Sequence, residues 1–89
     1  MIEVESLPTR SGWDATVEIN AGQANASRHN VRVTHADIER WGRGGSPEDL
    51  VRRAFEFLLD REPPDQILKS FDLADIEHYF PEFGKAMAK

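Results

Sequence analysis

The 89 residues include no cysteine. That absence removes disulfide staples, thiolate metal ligands and a thiol nucleophile together, and it fits a reducing cytoplasmic setting. Long apolar runs are missing too: no stretch approaches the roughly 18 residues that suggest a membrane span. The opening residues, MIEVESLPTR, have neither a basic start nor an apolar run, so no signal peptide is read there. Without a secretion signal, the glycosylation-like NAS at Asn25 is read as coincidence. Repeats and low-complexity segments are also lacking. What remains is one small domain, expected over residues 1–84, with residues 85–89 (KAMAK) as a frayed tail. A chain this short buries only about 60–65% of its unfolded surface, so few apolar side chains can be spared from the interior.

Positive charge is also in short supply. Sixteen acids oppose eleven lysines and arginines, a formal charge of −5. Residues 1–34 carry four acids and three bases, residues 35–61 six and five, and residues 62–89 six and three. The carboxy-terminal third is therefore both the most acidic part and, with Phe71, Tyr79, Phe80 and Phe83, rich in aromatic rings.

The first third alternates. Ile2 and Val4 oppose Glu3 and Glu5. Trp13, Ala15, Val17 and Ile19 oppose Asp14, Thr16, Glu18 and Asn20. His29, Val31 and Val33 oppose Arg28, Asn30, Arg32 and Thr34. A period of two with β-branched residues indicates half-buried strands. The turn-like links SLPTRSG and AGQANAS are short, which favours antiparallel neighbours.

After Val33 the period becomes helical. Thr34 is placed to cap a short helix with Asp37 in the capping-box position, and Ile38 and Trp41 share its inner face. In SPEDLVRRAFEFLLD, Ser46 is the N-cap, Pro47 the first helical residue, and Glu48 and Asp49 complement the dipole. Its apolar stripe runs through Leu50, Val51, Ala54, Phe55, Leu58 and Leu59, and Pro63 and Pro64 stop it. PDQILKSF reads as one or two further turns with Ile67 and Leu68 inward. Asp72 and Asp75 form a second capping box, with Phe71 and Ile76 as its hydrophobic staple and Pro81 as the stop. The fold class is α+β: a three-stranded antiparallel β-meander followed by three or four short helices packed on one face.

Chemistry is sparse. GRGGSPED has the outline of a phosphate cradle, but Glu48 and Asp49 occupy the helix start and would repel an anion, and the P-loop lysine is absent. Arg40, Arg43, Arg52 and Arg53 would make the surface of a nucleic-acid binder. Glu39, Glu48 and Asp49 stand four residues before Arg43, Arg52 and Arg53, the order of neutralising helical pairs, so nucleic acid is disfavoured. His29, His35 and His78 lack the spacing of converging metal ligands. No acid sits inside an apolar run, as a carboxyl tuned for acid–base work would. The reading is a non-enzyme without cofactor or metal, with a small-molecule binder or enzyme as the third choice.

The segment FEFLLDREPPDQILKSFDLADIEHYFPEF resembles a group of small bacterial proteins with no assigned activity. The likeness covers about Thr34 to Phe83, and REPPDQIL…FDL…I…YFPEF is its most specific element. It implies a free-standing protein and carries no catalytic or binding residue across. The functional expectation is therefore a protein-interaction module. Tyr79 and Phe83, which the helical pattern does not absorb, would be its anchors beside Glu77 and Glu82, and a sheet edge offers a route to a homodimer.

Overall fold

Three strands form as the alternation requires: β1 (Ile2–Pro8), β2 (Gly12–Ile19) and β3 (Ser27–Thr34), paired antiparallel in sequence order. A computed structural model describes residues 2–88; Met1, where the first strand was expected to start, and Lys89, the last residue of the expected tail, lie outside them. The β1–β2 turn closes on Thr9 and Gly12, with Thr9 N–H donating to the Gly12 carbonyl at 2.8 Å. Gly12 has φ +157°, and a Cβ there would come within 2.0 Å of the Val33 carbonyl oxygen. Only glycine lets β2 begin so close against the end of β3.

The sheet has a fourth strand that corrects the three-stranded reading. β4 (Ser70–Asp72) lies parallel to β3, giving a mixed sheet in the order β1-β2-β3-β4. PDQILKSF accordingly holds one short helical turn and no second. A 3-10 turn covers Pro64–Gln66, after which the chain extends, so Ile67 is buried while Leu68 points outward. An extended backbone sends successive side chains to opposite sides, which a helix would not do for this pair.

The helices are α1 (His35–Trp41), α2 (Pro47–Leu59), α3 (Ile76–Tyr79) and α4 (Phe83–Met87). The starts of α1 and α2 follow the anticipated caps. Thr34 Oγ1 accepts from Asp37 N–H at 3.1 Å while Asp37 Oδ2 accepts from Thr34 N–H at 2.9 Å, and Ser46 Oγ accepts from Asp49 N–H at 3.1 Å. Asp75 Oδ2 likewise accepts from Asp72 N–H at 3.3 Å, ahead of a 3-10 turn at Leu73–Asp75.

All helices lie on the face made by Ala15, Val17, Ile19, Val31 and Val33. α2 supplies Leu50, Val51, Ala54, Phe55 and Leu58 to that layer and also buries Phe57. Phe57 lies outside the expected stripe because a second layer covers it: its ring meets Phe80 at 5.8 Å and Phe83 at 5.3 Å, both edge-to-face. The expected frayed tail is part of that layer. α4 extends to Met87, which is 3% exposed. No helix among the described residues is long and apolar enough to cross a membrane.

Candidate functional site

The four residues expected to meet a partner divide three ways. Phe83 is 0% exposed and stacks edge-on against Trp41, so it is a core residue and not an anchor. Pro81 ends the α3 course and the chain turns back, with Phe83 N–H donating to the Phe80 carbonyl at 2.9 Å; this carries the ring inward. Glu77 and Glu82 are engaged with bases of the same chain. Glu77 binds Arg40 at 3.2 Å, and Glu82 binds Arg61 at 3.2 Å. The Glu82 backbone N–H and then Arg61 hold the Glu82 carboxyl below the ordinary 4.5. Tyr79 stands out in solvent, at 69% exposure.

Tyr79 forms one wall of an open groove of about 360 Å³. Leu58 from the end of α2, Ile67, Phe71 from β4 and Ile76 from α3 supply its apolar floor. Leu68, exposed by the extended turn after Ile67, makes a further wall. Glu62, Gln66 and Asp75 stand among the lining groups, and no lysine, arginine or histidine does. The groove is thus apolar within and acidic at its polar points. Leu68 was missed as a surface residue because a helical reading of PDQILKSF turns it inward.

The arginines are less uniformly neutralised than the i, i+4 spacing suggested. Of the three anticipated pairs, Asp49–Arg53 forms, at 3.2 Å. Glu48 instead accepts a hydrogen bond from Ser6 Oγ across to β1, which is the main cause holding its carboxyl below the ordinary 4.5. Arg43 sits in a left-handed turn at φ +55°, off the helix that would have aligned it with Glu39. Among the described residues Arg43 and Arg52 are in no ion pair. Arg53 does more than pair: its Nη1 and Nη2 donate to the carbonyls of Met87 and Trp41, each at 2.9 Å. Arg61 lies over the Phe57 ring, 3.6 Å from its centroid.

The glycine turn before α2 holds an acid: the Asp49 carboxylate lies 3.0 Å from where a Cβ on Gly45 would stand. His29 is buried in the core, its Nδ1 2.8 Å from the Leu68 carbonyl and its Nε2 2.9 Å from Ser27 Oγ. A carbonyl only accepts, so Nδ1 carries the proton and Nε2 takes one from the serine. His35 packs edge-on to Trp13 at 5.0 Å. Among the described residues no three histidines or carboxylates gather as metal ligands would. No protein-family model matches the chain, and neither a curated protein nor a solved structure is significantly similar to it.

Proposed function

We propose that this chain is a non-catalytic protein-interaction module whose groove between α2, β4 and α3 receives an apolar side chain of another protein. One observation carries the reading: Leu68 and Tyr79 are two of the three large apolar residues most exposed among those described, and both face the same groove. A small domain gains stability by burying such groups, so two left out together on one concavity favour a contact surface. A tyrosine beside an apolar hollow is also the usual make-up of an interface anchor. Glu62 and Asp75 select the occupant, a segment in which lysine or arginine flanks a large apolar residue.

Selection from a random peptide library on the immobilised domain tests this. The enriched sequences place Leu, Phe, Trp or Met next to a base, and L68S/Y79S weakens the selected peptide by about tenfold or more. Enrichment without such a pattern, equal binding to the double variant, or no enrichment at all overturns the reading. Concentration-dependent dimerisation lost in L68S/Y79S would make the occupant a second copy instead.

A further inference from the structure

We infer that β1 is a second docking site, one that adds a basic strand from another protein to the open edge of the sheet. The inference rests on the edge alone and is independent of the groove.

The pairing pattern fixes which backbone groups are free. Thr9 and Gly12 exchange hydrogen bonds with each other. Antiparallel pairs alternate between bonded and non-bonded types, so in the observed register Leu7–Asp14, Glu5–Thr16 and Glu3–Glu18 are bonded pairs. The N–H and C=O groups of Ile2, Val4 and Ser6 therefore point away from β2. β1 is the end strand of the sheet, so these are ladder groups ready for another chain.

Charge identifies that chain. On the face away from the helices, Glu3 stands directly opposite Glu18, and Glu5 lies two residues along. Glu18 meets Arg28 only at 3.8 Å. Asp14 is opposite Arg32 in the register, yet Arg32 binds Asp72 on the far side. Neither Glu3, Glu5 nor Asp14 is in an ion pair among the described residues. The edge half of this face thus carries more acids than bases: Arg28 reaches in from β3 to Glu18 and borders, with Lys69, the hollow that Glu5 lines. Glu3 and Glu18 stand as like charges directly across the ladder and destabilise it. Lysines or arginines on an added strand would lie beside Glu3 and Glu5.

A second copy fits poorly. Antiparallel self-pairing that uses the free groups has its two-fold at Glu3, Val4 or Glu5. These place Glu3 on Glu3, Glu3 on Glu5, or Glu5 on Glu5, an acid on an acid, whereas a two-fold at Ser6 sets Glu5 against Leu7 and overlaps only the end of the strand. The homodimer expected through a sheet edge is thereby disfavoured at β1 in the three registers centred on Glu3, Val4 and Glu5.

The test uses a nine-residue peptide of alternating lysine and valine, with a glutamate–valine peptide as control. The basic peptide is expected to slow amide exchange at Ile2, Val4 and Ser6, and the acidic one is not. Glu3→Lys with Glu5→Lys, both exposed, is expected to weaken binding by about tenfold or more. Val4→Pro removes one outward donor without touching a β1–β2 bond and is expected to do the same. L68S/Y79S is expected to leave this binding unchanged, which separates the edge from the groove. Absent protection at the three amides, equal affinity for E3K/E5K, or self-association abolished by Val4→Pro overturns the inference.

Discussion

The Phe83 ring meets the Trp41 indole edge-on, with centroids 5.1 Å apart and planes at 78°. This contact joins the end of α1 to the start of α4 and places Phe83 among the most buried side chains in the protein. Phe83→Ala is expected to cost about 3–5 kcal/mol. For a domain of this size that lowers the thermal midpoint by more than about ten degrees. Tyr79→Ala, four residues earlier, is expected to change stability by less than about 0.5 kcal/mol. Parallel melts of the two variants check the assignment of one ring to the core and the other to the surface.

His29 makes stability depend on pH. Burial is the main cause lowering its pKa below the ordinary 6.5, only partly opposed by the hydrogen bond to the Leu68 carbonyl. In the window between the folded pKa and 6.5 the unfolded chain binds the extra proton, so stability is complete above 6.5 and falls as pH drops below it. Urea unfolding at stepped pH is expected to show this loss, with a slope of at most about 1.4 kcal/mol per pH unit from this group. A His29→Gln variant, less stable at neutral pH, is expected to lack that component.

Arg53 holds three segments at once: Asp49 within α2, and the closing carbonyls of α1 and α4. An ammonium lacks the fork that reaches all three. Arg53→Lys is expected to lose about 1–3 kcal/mol, because half-buried carbonyls are left unsatisfied. Asp49→Asn, removing an exposed ion pair and one charge that complements the α2 dipole, is expected to lose about 1 kcal/mol. Amide exchange in α4 distinguishes them, rising in the arginine variant alone.

Thr34 is exposed, so its replacement disturbs the cap of α1 and nothing in the interior. Thr34→Ala is expected to cost about 1 kcal/mol, seen as a lower urea midpoint with an unchanged slope.

The caps at Thr34 and Ser46 and the three alternating strands were legible because each depends on residues a few positions apart. β4 was not, since three residues hold a single alternation and cannot display a period. α4 escaped because GKAMAK shows no apolar stripe; its burial comes from Met87 joining a core that other segments build. Phe83 was misassigned for a similar reason, as the turn after Pro81 resets the helical phase. The groove was invisible as a unit: Leu58, Ile67, Phe71, Ile76 and Tyr79 come from separate elements, and only the fold brings them together.

The parallel strand β4 has a consequence for how the protein is made. Its partner lies 40 positions earlier, as the Arg32–Asp72 pair marks. During synthesis the three-stranded meander emerges first, and the outer side of Ser27–Thr34 stays bare while the whole helical middle is translated. Until Ser70 leaves the ribosome, that side is open to association with a neighbouring nascent chain. Slow translation through residues 35–69 therefore lengthens the period of greatest exposure to misassembly.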